Sequence, residues 1–333
     1  DFKVGKGFDL TANYFIKNTR DLLFQPAVSG VLGTAGAGSL PPIINAGDVS
    51  NKGVELELRY ASDFTKEFRW GMSLNSTYLK NEVQKTPDGV DFLPGASFGV
   101  GGNIATRFEK GYAIGYFIGY ETDGVFQTQE EIDNASVVQD GAKPGDLRFV
   151  DQNKDGKISF SDDSDQTELG SAIPTFTFGY NLNASYKGFD VSANLYSAIG
   201  QEIIRNYERQ QPFANQLTYN IDRWTGAGST NENPRLTTDL NRNTTFSDFY
   251  VENGSFLRLK NLQLGYTLPK AMLGKLKIQS TRIYVAANNL ITLTNYQGFD
   301  PDLGSFGGAL AAGIDYGFYP QARTIMTGLS IKF

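Results

Sequence analysis

Twelve consecutive residues near the middle of the chain have the residue types and spacing of a calcium-binding loop. The candidate ligands, at positions 1, 3, 5, 7, 9 and 12 of that segment, are Asp151, Asn153, Asp155, the backbone carbonyl of Lys157, Ser159 and Asp162. Gly156 falls where such a loop makes its sharp turn. The last position departs from the pattern, since aspartate replaces a bidentate glutamate and lowers the ligand count. The alternative is a solvated acidic loop without a metal.

A bound calcium ion would stiffen the long loop predicted at 121–171, which contains the motif at 151–162. We expect it to take no part in a reaction, because nothing nearby supplies a base. The chain contains no histidine and no cysteine. Ser-His-Asp and HExxH mechanisms are therefore excluded, as are disulfides and thiolate chemistry. The net charge of −6 argues against nucleic acid as a partner, because such a partner requires a basic face.

One group of carboxylates has the types needed to hydrolyse a glycoside. Glu55 and Glu57 share the polar face of a predicted strand with Arg59. We interpret them as charges that pair along the water-facing side of the strand, where ionised side chains stay solvated. We predict that the protein is not an enzyme. A hydrolase is an alternative, which the absence of histidine disfavours.

Aromatic residues are frequent in the segments that we predict to be long loops. A ring offers apolar area that can stack on a sugar. The candidates for contact with a substrate or a binding partner are Tyr207, Trp224, Phe246, Tyr250, Tyr296 and Phe299, and further loop aromatics are Phe213, Tyr219, Phe249 and Phe306. The alternative is that these rings pack a small core within the loops themselves.

The elements that must position these residues are strands with a period of two. From Phe176 to Tyr186 every second residue is apolar or aromatic, and the residues between them are Thr, Gly, Asn and Ser. Such alternation turns one face of a strand toward lipid and the other toward water. We predict ten strands of this kind, at 8–19, 50–61, 67–81, 97–109, 112–120, 172–187, 188–200, 252–268, 279–293 and 322–333.

The pattern of these strands predicts an all-β protein that forms a transmembrane antiparallel β-barrel. The predicted connections alternate between short turns and long loops, which is the layout of an outer-membrane barrel with extracellular long loops. Aromatic residues gather near the short-turn ends, as at a membrane interface: Phe68, Trp70, Tyr186, Phe189, Tyr266 and Phe333. A soluble β-sandwich is the alternative, but its strands are usually about 5–6 residues long and its loops rarely exceed about 12–15.

Three local patterns carry further predictions. The apolar residues of the strand at 252–268 change phase between Leu259 and Leu262, which predicts a bulge there. The terminal Phe333 is in phase with the apolar residues of the last strand, and we interpret it as an assembly signal. Residues 2–4 look like the end of a preceding strand, so we expect the chain to be the later part of a longer one.

A set of characteristic segments follows one another along about two-thirds of the chain. The segments are GYAIGYFIGYETDGVFQ at 111–127, KPGDLRFVDQNKDGKI at 143–158, IP at 173–174, RWT at 223–225, NPR at 233–235, SDFYVENGSFLRLKNLQLGYTLP at 247–269, ANNL at 287–290, GFDPD at 298–302, and the ending that starts with YPQART at 319–324. Each match is weak alone, but the ordered set is specific. Together the segments resemble the C-terminal region of SusC-like TonB-dependent transporters of the Bacteroidota.

The resemblance implies that residues 1–333 are the C-terminal part, about ten strands, of a barrel of 22 strands in the lipid of the outer membrane. The plug and the earlier strands would lie outside this chain. The implied partners are a SusD-like surface lipoprotein, TonB acting through the plug, the barrel-assembly machinery and the N-terminal part of the same barrel. The implied function is TonB-dependent import of an oligosaccharide or a peptide. A non-transporting binding or assembly component that reuses the barrel is the alternative.

Overall fold

Nine antiparallel strands form one sheet in the part of the chain that the structure describes. This computed structural model describes residues 2–4, 7–24, 43–45, 47–62, 67–99, 103–208, 217–239, 241–273, 278–305 and 307–333. The strands are β1 (Phe2–Val4), β2 (Phe8–Thr19), β3 (Asp48–Ala61), β4 (Phe68–Lys85), β5 (Phe176–Tyr186), β6 (Phe189–Ile199), β7 (Phe256–Thr267), β8 (Ser280–Thr294) and β9 (Thr324–Lys332). Each pairs with its neighbours in the chain, so the sheet is a meander with β1 and β9 outermost. We call this sheet the wall.

Cross-strand partners show that the wall has two different faces. Directly opposite one another in β4 to β8 lie the apolar residues Met72, Leu182, Ala193, Leu262 and Ala287. One residue away, on the other face, lies the polar row Ser73, Asn181, Asn194, Asn261 and Asn288. Amides of this row bond across strands, with Asn261 Nδ2 donating to Asn288 Oδ1 at 2.9 Å. The predicted apolar and polar faces are therefore confirmed.

The bulge predicted near Leu259 is present in β7. Relative to β6, Lys260 is an extra residue between Leu259 and Asn261, and relative to β8 the pairing skips Lys260 together with Asn289 and Leu290 of β8. Because of that extra residue, Leu259 and Leu262 both fall on the apolar face. The strand predicted at residues 2–4 is also present as β1, which pairs with the start of β2.

Two of the ten predicted strands, at 97–109 and 112–120, do not belong to the wall. β4 pairs directly with β5. The residues between them form a separate sheet whose strands are, in order, Gln166–Gly170, Tyr116–Tyr120, Thr106–Glu109 and Phe92–Pro94. All five residues of Tyr116–Tyr120 are buried. The prediction was wrong because a strand buried on both faces has the same aromatic-rich composition as one that faces lipid.

The long connections after β4, β6 and β8 pack together beside the wall. We call their described residues, within 86–175, 200–255 and 295–323, the loop body. Its first core combines residues from all three connections: Phe98, Phe117, Ile204, Phe246, Tyr250 and Ile314. A second core joins the loop body to the wall through Val83 of β4 and Leu310. The segment predicted as a loop at 121–171 is therefore part of a larger packed unit.

The remaining described elements are short. The three-stranded sheet contains Val251–Asn253, Glu202–Arg205 and Ile314–Asp315, and the two-stranded pairs are Thr122–Val125 with Leu147–Phe149, Ser97–Phe98 with Asn103–Ile104, and Leu23–Phe24 with Ile44–Asn45. The helices are Gln129–Asp133 and Lys270–Leu273, and the 3₁₀ turns are Thr218–Asp222, Asp248–Tyr250 and Gly308–Ala311. Among the helices that the structure describes, none has the length and apolar character to cross a membrane.

Candidate functional site

The segment with calcium-loop spacing forms a tight turn in the loop body. The Asp151 carboxylate accepts hydrogen bonds from the backbone N–H groups of Lys154, at 2.7 Å, and Gly156, at 2.8 Å. Asp165 is fully buried and accepts from the backbone N–H groups of Gln152, at 3.1 Å, and Ser159, at 2.7 Å. The sequence did not single out Asp165 as an organising residue. Its role follows from burial, which spacing alone does not reveal.

The other predicted ligands bond within the same segment. Asn153 Oδ1 accepts from the Asp155 backbone N–H at 2.9 Å. Asp162 accepts from the Ser164 hydroxyl and from its backbone N–H, which lowers the pKa of Asp162. Across the described residues, which include the whole segment, no three acidic side chains converge on a metal position. Calcium binding by Asp151, Asn153, Asp155, Lys157, Ser159 and Asp162 therefore stays a prediction.

Removing calcium should raise the protease sensitivity of residues 121–171 if the segment binds the ion, because its carboxylates would then repel one another. Limited proteolysis of the full-length protein, with and without a chelator, measures this directly. Asp151→Asn should reproduce the effect of the chelator, and Asp133→Asn, in the nearby exposed helix, should not. A cleavage pattern that the chelator leaves unchanged would reject the metal site.

Three of the predicted contact aromatics lie inside the loop body. Phe246, Tyr250 and Tyr296 are 2%, 4% and 5% exposed. For these three rings the structure thus agrees with the alternative considered from the sequence, in which loop aromatics pack a core within the loops themselves. Trp224 is half-buried, and its indole N–H donates to Gln127 Oε1 at 3.2 Å.

The two other candidates are more accessible. Tyr207 is half-buried, and burial, with a smaller effect of the Glu252 charge, raises its pKa to about 12. Phe299 is 72% exposed and is the one candidate of the six with a widely open ring. Phe213 and Phe306 lie outside the described residues.

A buried charge network that the sequence did not predict lies within the connection 200–255. Arg205 donates to Glu208 and to Glu252 Oε1, the latter at 3.0 Å. Tyr219 donates to Glu208, and its ring lies 4.7 Å from the Arg205 guanidinium. Burial alone would lower the pKa of Arg205, but the charges of Glu208, Tyr219 and Glu252 outweigh it and raise that pKa. The network ties distant parts of this connection together, and Glu252 Oε2 also accepts from the Gln297 backbone N–H of the connection 295–323 at 2.8 Å.

A second buried pair fixes the connection 295–323 to the wall. Arg258, on the polar face of β7, is 2% exposed and donates to Asp300. Arg258 Nε also donates to Thr292 Oγ1 at 2.9 Å, and Arg258 Nη1 donates to Asp302 Oδ2 at 3.4 Å. The segment GFDPD at 298–302 therefore carries both carboxylates that bind Arg258, and the exposed Phe299 directly precedes Asp300 in it.

The loop body also contains a half-open cavity of about 770 Å³. Arg148 enters it and donates to Glu131 and to Asp123 Oδ2, the latter at 3.1 Å. Phe126 and Phe149 supply apolar walls. Ligand pockets in proteins are usually about 300–1,000 Å³, mostly apolar and with a few polar groups. The cavity therefore has the size and lining of a site for a small polar molecule.

The carboxylates considered for hydrolysis lie on the polar face of β3. Arg59 Nε donates to Glu57 Oε1 at 2.7 Å, and both side chains are substantially exposed. The interpretation of these residues as ion pairs along the wall is confirmed for Glu57 and Arg59.

The end of the chain continues the apolar face of the wall. In β9, Ile325, Leu329 and Ile331 lie opposite Ala287, Ile283 and Thr281 of β8. Phe333 follows in phase and is 79% exposed. This placement is consistent with a terminal signal, whose role stays a prediction.

Deletion of Phe333 should reduce the amount of protein assembled in the outer membrane, because the assembly machinery would lose the terminal aromatic that it reads. Quantitative blotting of outer-membrane fractions measures the change. Phe333→Tyr keeps a ring and serves as the control. Normal yield after the deletion would reject the signal interpretation.

The arrangement of wall and loop body agrees with comparisons with known proteins. The family described as TonB dependent receptor-like, beta-barrel matches residues 2–197, which is more than half of the chain. The chain therefore belongs to this family of TonB-dependent receptor barrels. Membership also places it in the outer membrane.

Curated relatives extend the similarity over nearly the whole chain. TonB-dependent receptor P3 of Formosa agariphila is 33% identical over 337 residues, which cover 98% of this chain and 32% of the relative. TonB-dependent receptor SusC of Bacteroides thetaiotaomicron is 27% identical over 295 residues, covering 87% of this chain and 27% of SusC. A solved structure of the RagAB peptide transporter matches with a TM-score of 0.73 at 24% identity, covering 98% of this chain and 33% of that one. The chain thus spans about a third of the length of these relatives.

Proposed function

We propose that the protein containing this chain imports a large nutrient, an oligosaccharide or a peptide, across the outer membrane in a TonB-dependent manner. The observation that carries the proposal is a two-faced wall of a TonB-dependent receptor barrel with a large packed loop body beside it. The polar face would line the passage, and the apolar face would contact lipid. Residues 1–333 would be the C-terminal part of the barrel, completed by earlier strands and a plug.

The loop body supplies surfaces for a substrate and for a SusD-like surface lipoprotein. Phe299 combines an exposed ring with a backbone that Arg258 holds in place through Asp300. A rigidly presented aromatic ring loses little freedom on binding, which suits contact with a sugar or a peptide side chain. The cavity around Arg148 is a second candidate contact. The proposed role is transport without catalysis, in line with the receptor names of the curated relatives.

Uptake by a deletion strain tests the proposal. A strain without the gene should lose uptake of one class of labelled oligosaccharide or peptide, and the full-length gene should restore it. The same uptake should disappear in a strain without TonB. Loss of surface binding with uptake unchanged would contradict import and favour a binding component that reuses the barrel.

Purification from the outer membrane tests the partner separately. The full-length protein, extracted in mild detergent, should retain a SusD-like lipoprotein in a stable complex. Phe299→Ala should lower substrate affinity or lipoprotein retention, while Phe68→Ala, on the opposite end of the wall, should change neither. If the full-length protein purifies without any SusD-like lipoprotein, the proposed partner is contradicted.

A further inference from the structure

A groove of about 570 Å³ lies on the apolar face of the wall, close to its short turns. We propose that it binds one phospholipid of the periplasmic leaflet, with an acyl chain in the groove and the headgroup on Lys187 and Glu67. This site depends on the outer-membrane location of the wall and not on import.

Two rows of cross-strand partners create the groove. The row nearest the turns contains large rings from four adjacent strands: Phe68, Tyr186, Phe189 and Tyr266. The next row contains two small side chains, Ala184 of β5 directly opposite Val191 of β6. Small side chains behind a row of rings leave a depression, and Leu264 of β7 and Val285 of β8 continue its lining beyond Val191.

Contacts between neighbouring strands of the wall define the shape of the groove. Phe189 and Tyr266 are in ring contact at 4.4 Å, and Phe68 and Tyr186 at 6.4 Å. The lining comes from β4 to β8, at the middle of the sheet and away from its outermost strands. The shape of the groove therefore does not depend on strands outside this chain.

A charged pair stands at the end of the groove. Lys187 Nζ lies 3.6 Å from Glu67 Oε2, and the two side chains are 59% and 73% exposed. The same ammonium lies 5.3 Å from the centre of the Tyr186 ring, which lines the groove. An exposed ion pair is only weakly stabilising, so its members can turn toward other charges.

The charges of Lys187 and Glu67 indicate which class of lipid the groove would bind. Phosphatidylethanolamine carries a phosphate that complements Lys187 and an ammonium that complements Glu67, next to acyl chains that require an apolar surface. Short turns of outer-membrane barrels face the periplasm, so the site opens to the leaflet that contains phospholipid. We therefore assign the groove to a zwitterionic phospholipid.

Native mass spectrometry of the full-length protein tests the proposal. Protein purified from outer membranes in detergent, stripped of loose lipid and titrated with dioleoyl-phosphatidylethanolamine, should bind one molecule tightly. Ala184→Phe fills the groove and should weaken that binding about tenfold, the loss expected when two methylene groups lose their burial. Val191→Phe fills the same groove from β6 and should have the same effect if Ala184→Phe fails to assemble.

The matched control is Ala193→Phe, the same substitution on the same face but one row beyond the groove. It should bind the lipid as the wild type does. Lys187→Gln should weaken binding several-fold, while Lys80→Gln, in an exposed Lys–Glu pair at the other end of β4, should not. Equal binding by the wild type and the groove-filling variants, or preferential retention of lipopolysaccharide, would overturn the proposal.

Discussion

Leu182→Arg should strongly reduce the amount of full-length protein that assembles in the outer membrane. Leu182 lies in the middle of the apolar row of β5, opposite Met72 and Ala193. An arginine facing lipid near the middle of the bilayer costs about 2–4 kcal/mol, a large part of the stability of a folded protein. Outer-membrane yield and heat-modifiable mobility on gels measure the loss.

The neighbouring residue provides a matched control. Asn183 is exposed on the polar face of the same strand, opposite Gly71 and Ser192. Asn183→Arg introduces the same side chain into an aqueous environment and should leave assembly near the wild-type level. If the two variants assemble equally well or equally poorly, the assignment of faces is incorrect.

Arg258→Met should release the connection 295–323 from the wall. Removing one partner of a buried ion pair leaves the other charge uncompensated, which costs about 3–5 kcal/mol. Asp300 is 7% exposed and would be left in that state. Hydrogen exchange in 295–323 should accelerate by roughly a hundredfold or more, since about 1.4 kcal/mol corresponds to a factor of ten.

Lys260→Met is the control for this prediction. Lys260 also pairs with Asp302, at 3.4 Å, but the two side chains are 40% and 31% exposed. An exposed pair contributes about 0–1 kcal/mol, so exchange in 295–323 should change by less than about tenfold. Similar exchange in the two variants would show that Arg258 does not anchor the connection.

The wall could be predicted from the sequence because its signal is local. Alternation from Phe176 to Tyr186 depends on residues two apart, and one face of each strand has a uniform environment. The bulge at Lys260 was equally readable, because a single extra residue shifts the apolar phase. The ion pair between Arg282 of β8 and Asp190 of β6 could not be predicted from the sequence, because it spans the intervening strand β7 at Gly265. A Cβ at Gly265 would lie 2.4 Å from the Arg282 guanidinium, so this glycine leaves the space that the pair needs.

The loop body could not be predicted in the same way, because its contacts join distant parts of the chain. Thr106 donates to the carbonyl of Leu310 at 2.6 Å, across 204 positions of sequence. The aromatic candidates show the same limit. Phe246 and Phe299 were both chosen as loop aromatics, yet one is 2% and the other 72% exposed. Residue type is the same for a ring that packs and a ring that binds, and only the fold distinguishes them.

Spin labels along β5 test the central claim most directly. The chain has no cysteine, so single cysteines at 178–183 can be introduced and labelled one at a time, in full-length protein in lipid vesicles. Collision with oxygen, which concentrates in lipid, should be high at 178, 180 and 182, and collision with a water-soluble nickel reagent should be high at 179, 181 and 183. Low accessibility to both reagents at the even positions would mean that the apolar face packs against protein, and it would contradict a wall that faces lipid.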